Sequence, residues 1–176
     1  MNSIKIALIS TVLGIGALFA EEAAKDGSET VKAGNFSFEA KKPWLVQVPK
    51  SRMVKAVLLH GEKGPELKFY HFGPGQGGGV EANITRWKKQ FEGEPKVSPE
   101  TKIFVKQEVK IVMMEGTFLD GPVMQKKTPR EGWSMLGAVI PHPSGDVFLK
   151  MAGPTAEVQT AKKNFEALIN SAFSEQ

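Results

Sequence analysis

Between Glu66 and Phe91 the chain reads ELKFYHFGPGQGGGVEANITRWKKQF, and this stretch limits the possible folds more than any other. Leu67, Phe69 and His71 alternate with Lys68, Tyr70 and Phe72, the period of a strand with one face buried. Glycine then occupies positions 73, 75, 77, 78 and 79, a run in which the backbone takes positive φ freely and comes close to whatever lies beside it. Val80, Ile84, Trp87 and Phe91 follow at helical spacing, with Glu81, Asn83, Arg86, Lys89 and Gln90 off that stripe, and Gly93 and Pro95 stop the helix. A strand therefore passes through a glycine turn directly into a helix.

The flanking segments supply more strands. Phe36 and Phe38 form a short alternating strand ended by Lys42-Pro43, and Trp44 to Val48 alternates again before Pro49. Met53 to His60 is an apolar run that returns through GEKGPE, so residues 53–72 predict an antiparallel hairpin. From Lys102, the residues Ile103, Val105, Gln107, Val109, Ile111 and Met113 share one face of either one long strand or two strands broken near Gln107. Leu119 to Gly132, with its glycines, prolines, Lys126, Lys127 and Arg130, reads as an exposed basic loop. Trp133–Ile140 and Asp146–Ala152 predict a second hairpin about PHPSG. Gly153-Pro154 opens a last helix whose buried stripe is Val158, Ala161, Phe165, Leu168 and Ile169. Strands and helices do not alternate regularly, so the expectation is an α+β domain: a mostly antiparallel sheet covered by two helices.

The N-terminus reads differently from the rest. Lys5, the apolar run Ile6–Phe19 and the small residue Ala20 have the anatomy of a secretory signal peptide of residues 1–20, shorter than the ~20 apolar residues a spanning helix needs. The expected product is periplasmic or secreted and does not insert into the membrane once the signal is removed. Residues 21–33 are charged and aperiodic and read as a flexible leader outside the core, ahead of a single domain over 34–176. Without the first 20 residues the balance is 22 basic against 19 acidic, too even and too scattered to argue for nucleic acid. With no cysteine, an exported fold of this kind rests on its apolar core alone.

Few residues suggest chemistry. Gly73-Pro74-Gly75-Gln76-Gly77-Gly78 satisfies G-x-G-x-x-G, but the preceding strand is polar and alternating, and no βαβ series follows, as a dinucleotide fold requires. Gly79-Val80 stands where a phosphate-binding P-loop has Lys-Ser/Thr. What survives is a glycine turn before a helix start, an anion-receptive concavity that Arg86 can reach. The blander alternative is close packing of strand on helix; Glu81 favours it by repelling an anion. His60 and His71 sit at opposite ends of one hairpin, and His142 lies in another turn, so no metal or other cofactor is expected. No serine occupies a nucleophile motif, and Glu115 lacks a partner carboxylate, so no catalytic residue is assigned. Trp44, Trp87 and Trp133 read as core.

Lys42-Pro43-Trp44 with Pro49-Lys50-Ser51-Arg52-Met53, then FYHFGPGQGGGVEANITRW, then Phe148-Leu149-Lys150-Met151-Ala152-Gly153-Pro154 with Val158, Phe165 and Leu168, resemble a group of uncharacterised secreted bacterial proteins over residues 35–172. The element order and the closing strand, Gly-Pro turn and helix more distantly resemble the PsbP and Mog-type α/β/α sandwich. That resemblance implies a non-catalytic binding or assembly role, its members stabilising a photosystem, binding a small GTPase or sitting in the bacterial envelope. The expectation is an exported binding or accessory protein for an unidentified protein or a small anionic ligand. Its candidate surface is Gly75, Gln76, Gly77, Gly78 and Arg86 together with Lys126, Lys127 and Arg130. The alternative is a hydrolase or transferase acting on an anionic substrate, with His71 or His142 as base.

Overall fold

Strands in which neighbouring side chains are both apolar need cover on both faces, as Ala56–Leu58, Ile111-Val112, Ala138–Ile140 and Val147–Leu149 do. The computed structural model describes residues 27–122 and 125–174; the expected signal segment and residues 21–26 of the leader lie outside them. The elements are β1 Glu29–Ala33, β2 Phe36–Ala40, β3 Trp44–Gln47, β4 Val54–His60, β5 Glu66–His71, α1 Gly79–Lys88, β6 Phe91–Phe104, β7 Gln107–Asp120, β8 Thr128–Ile140, β9 Val147–Pro154 and α2 Thr155–Ser171. Seven strands form one antiparallel sheet in the order β3-β4-β5-β9-β8-β7-β6, and β1 and β2 pair separately. This is the α+β arrangement the sequence predicts.

Two apolar clusters lie on opposite faces of the large sheet. In β7, Ile111 joins one cluster and Val112 and Met114 the other; in β8, Leu136, Ala138 and Ile140 alternate with Met135 and Val139. α2 covers the first face with Val158, Ala161, Phe165, Leu168 and Ile169, the predicted stripe, all buried. The β1–β2 hairpin joins it there, and Phe38 meets Phe69 edge-on with ring centroids 5.0 Å apart. α1 covers the second face through Trp87, whose ring lies so close to Gly137 that a Cβ on that glycine would come within 2.4 Å of it. Burying one large apolar side chain is worth roughly 1.5–3 kcal/mol, so the thirty-five buried apolar residues among the described ones are the source of stability in a chain with no cysteine.

Three expectations are corrected, and one left open is decided. Residues 29–33 are not a leader: they form β1, and Val31 and Ala33 are buried, because a period of two was hidden among charged neighbours. Phe91 does not continue α1; the helix ends at Lys88 and Phe91 opens β6 opposite Phe118, while Gly93 and Pro95 fall in a bulge between Glu92 and Lys96. The segment 102–113, open between one strand and two broken near Gln107, is two strands turning at Val105-Lys106, where Val105 takes φ 59°. Leu119–Gly132 is not one loop: β7 runs to Asp120 and β8 begins at Thr128, with Phe118 opposite Arg130 past a bulge at Gly116, which leaves 121–127 as the connection.

Candidate functional site

Register fixes what the glycine turn can touch. Val54 pairs with Tyr70, His71 with Val147, Ile140 with Val147, and Lys110 with Val139. Connections 48–53, 72–78, 105–106 and 141–146 therefore leave the sheet at the same end, and 61–65 and 121–127 at the other. The loop beside the glycine turn is 141–146, not the basic one. A Cβ on Gly145 would lie 2.4 Å from the Gly73 backbone, so two turns lie in backbone contact there.

The helix start is locked from within. Gly73, Gly75, Gly77, Gly78 and Gly79 all have positive φ, and Gly78 is the residue before the helix, with φ 88°. Asn83 Nδ2 donates to the carbonyls of Gly77 at 2.8 Å and Gly79 at 2.6 Å, and Arg86 donates to Asn83 Oδ1 at 2.7 Å and to Gly77 O at 3.4 Å. Arg86 does reach back to the turn, as its spacing suggests, but onto a carbonyl. Asn83, placed off the buried stripe by its polarity, is only 3% exposed because those carbonyls satisfy it. Gly77 is needed for packing, since a Cβ there would meet the Phe148 ring at 2.6 Å. Gly75 and Gln76 face outward, and a Cβ at Gly75 meets nothing within 4 Å.

The basic trio lies at the opposite end and is largely engaged. Lys127 Nζ donates to the carbonyls of Gly121 and Pro122, both at 2.6 Å. Arg130 pairs with Asp120 at 3.4 Å and lies over the Trp133 ring, while Lys126 is exposed. The structure thus brings Gly75, Gln76, Gly77, Gly78 and Arg86 together and leaves Lys126, Lys127 and Arg130 apart from them.

Each histidine has a neighbour that defines it. His60 Nε2 is 2.8 Å from Asn164 Nδ2, and burial lowers its pKa. His71 Nδ1 lies 3.3 Å from the Asp146 carbonyl, under Gly34. His142 Nδ1 accepts from the Ser144 backbone N–H at 3.1 Å and lies 2.7 Å from Ser144 Oγ, closing a turn. Asp146 accepts from the His142 backbone N–H at 3.2 Å, so its carboxylate does not orient the ring as a catalytic triad would.

Lys150 is the residue that sequence reasoning passed over. It sits half-buried on the second face of β9, its ammonium donating to Gln90 Oε1 and lying 5.4 Å from the centre of the Phe118 ring. Burial, with the charges of Lys68 and Lys127 nearby, pulls its pKa down to about 8. The signal available was a lysine in an otherwise apolar run, Val147-Phe148-Leu149-Lys150-Met151-Ala152. A cleft of about 270 Å³ lies between α1 and the β6–β7 hairpin, lined by Val80, Ile84, Trp87, Thr101, Lys110 and Val112.

No family model matches the chain, and no curated protein matches it in sequence. Among solved structures it is similar to the solution structure of cyanobacterial PsbP (CyanoP) from Synechocystis sp. PCC 6803, with a TM-score of 0.56 at 14% identity, covering 89% of this chain and 96% of that one. At that identity the likeness is one of fold: the sheet between two helices is PsbP-like, as the closing strand and helix lead one to expect.

Proposed function

We propose that the protein is an exported, non-catalytic binding or accessory protein whose working surface surrounds the glycine turn 73–79. The observation that carries this reading is the inward use of Asn83 and Arg86. By holding the Gly77 and Gly79 carbonyls they fix the turn on α1, so that Gly75 and Gln76 stand out as a rigid, exposed projection. A preorganised projection loses little freedom on binding and suits capture of a protein or a small anionic ligand, with the Arg86 charge at its base. The PsbP-like fold supports an accessory role, and residues 1–20 support export to the periplasm or beyond. Among the described residues, no helix is long and apolar enough to cross a membrane.

Photo-cross-linking from position 76 in the cells that make the protein tests the reading, with Lys63, in the turn at the far end of the sheet, as control. We expect an adduct from position 76 alone; adducts from both positions, or from neither, sink it. A second reading, hydrolysis of an anionic substrate with His142 as base, draws on the 2.7 Å approach of Ser144 Oγ. It requires that Ser144→Ala abolish a measurable hydrolytic activity without lowering the melting temperature.

A further inference from the structure

The edge of the sheet carries a second surface that the glycine turn does not explain. Between Ala40 and Gly61 the chain holds five basic residues and no acidic one. Lys41 pairs with Glu39, but among the described residues Lys50, Arg52 and Lys55 have no ion-pair partner. Unpaired cations occur elsewhere among the described residues, Lys88 and Lys89 included, but there acidic residues such as Glu92 and Glu94 follow closely in the chain, whereas residues 41–60 hold none. The same β3–β4 connection exposes two large apolar side chains, Val48 at 88% and Met53 at 62%. Its backbone is nevertheless ordered as a turn, since Ser51 accepts from the N–H of Met53 through Oγ at 3.3 Å and from that of Val54 through its carbonyl at 3.1 Å.

We infer that the β3–β4 connection docks on an anionic phospholipid surface, with Val48 and Met53 entering the headgroup–acyl boundary and Lys50, Arg52 and Lys55 meeting lipid phosphates. Two observations select lipid over protein. The surface is a protruding connection of about six residues, whereas a specific protein interface buries about 800 Å² on each partner. Apolar tips flanked by unpaired cations also supply the two weak signals, insertion and charge, whose sum gives stable peripheral attachment. The inference stands apart from the reading of the glycine turn, because it uses neither Gln76 nor Arg86.

The chain has no cysteine, so Val48→Cys carries a single environment-sensitive fluorophore, and Val105→Cys, on the exposed tip of the β6–β7 hairpin, serves as its control. The full chain is mixed with vesicles of phosphatidylcholine alone or with 30% phosphatidylglycerol. We expect tighter binding to the anionic vesicles, a blue shift from position 48 and none from 105, and release in high salt. Lys50→Gln with Arg52→Gln should weaken anionic-vesicle binding about 25-fold, roughly fivefold per cation. Val48→Ser with Met53→Ser should weaken it by about tenfold or more. All four positions are exposed, and unchanged melting temperatures confirm that the variants fold. The inference is overturned by equal binding to both vesicle types, by equal shifts at 48 and 105, or by variants that bind like the parent. Capture of an acidic protein with no response to vesicles would also overturn it, by replacing the lipid with a protein partner.

Discussion

On the α2 side, the sheet meets Phe69, Leu136, Ile140, Leu149 and Met151, all fully buried, beneath a helix that contributes five buried apolar residues. On the α1 side the same strands meet a shorter helix, an internally bonded Asn83, the Lys150 ammonium, and glycines that must stay bare beneath Trp87 and beside Phe148. One face is built of interchangeable apolar volume and serves stability. The other is built of particular residues and positions the glycine turn. A fold of this kind separates what holds it together from what it presents.

The largest effect should come from the α2 face. Phe165→Ala removes a fully buried ring from the centre of that cluster and should cost about 3–5 kcal/mol in urea unfolding. The loss should be global, with the signals of both helices falling in one transition. A variant that melted α2 alone and left α1 cooperative would break the picture of one domain with two dependent faces.

Lys150 tests the other face. Its folded pKa, about 8, lies below the value of about 10.4 for an unfolded lysine. Below pH 8 both states bind the proton and the folded state bears the cost of a buried charge. Between pH 8 and about 10.4 the unfolded state binds more protons, so stability rises with pH. Tyr70, on the same face, has its pKa raised by burial, so above about pH 10 the folded state holds the proton longer and stability falls again. Lys150→Met should raise stability at pH 7 by about 2 kcal/mol and remove the rise between pH 8 and 10. If the rise survives in that variant, Lys150 is not its source.

The difference between the faces also decides how much could be read from the chain. Regular burial is legible: the α2 stripe, the two hairpins and the sheet between helices follow from periodicity, because the α2 face imposes little but apolarity. The α1 face obeys contacts that are remote in sequence. Asn83 reads as a surface residue until its carbonyl acceptors are in place, and Phe91 fits a helical stripe equally well as it fits a strand opposite Phe118. Residues 29–33 were obscured because only two of five side chains in β1 are buried. The separation of Lys126, Lys127 and Arg130 from the glycine turn was beyond reach, since it depends on strand order and direction rather than on any local pattern.

The smallest expected effect returns to the α2 side, to the histidine at the edge of its apolar cluster. His60 pairs with Trp44 across β3 and β4, its ring 5.0 Å edge-on from that indole, and its Nε2 faces the Asn164 amide nitrogen on α2. Such a contact needs a neutral ring accepting from Asn164, and burial lowers the pKa accordingly. As pH falls below about 6.5 the unfolded chain takes up the proton first, so this group removes stability on the acid side and is silent above neutrality. His60→Gln keeps a side-chain carbonyl to accept from Asn164 but cannot titrate, so its melting temperature should fall less than the parent's between pH 7 and 5. Parallel losses in the two proteins would assign the acid sensitivity to groups outside this contact.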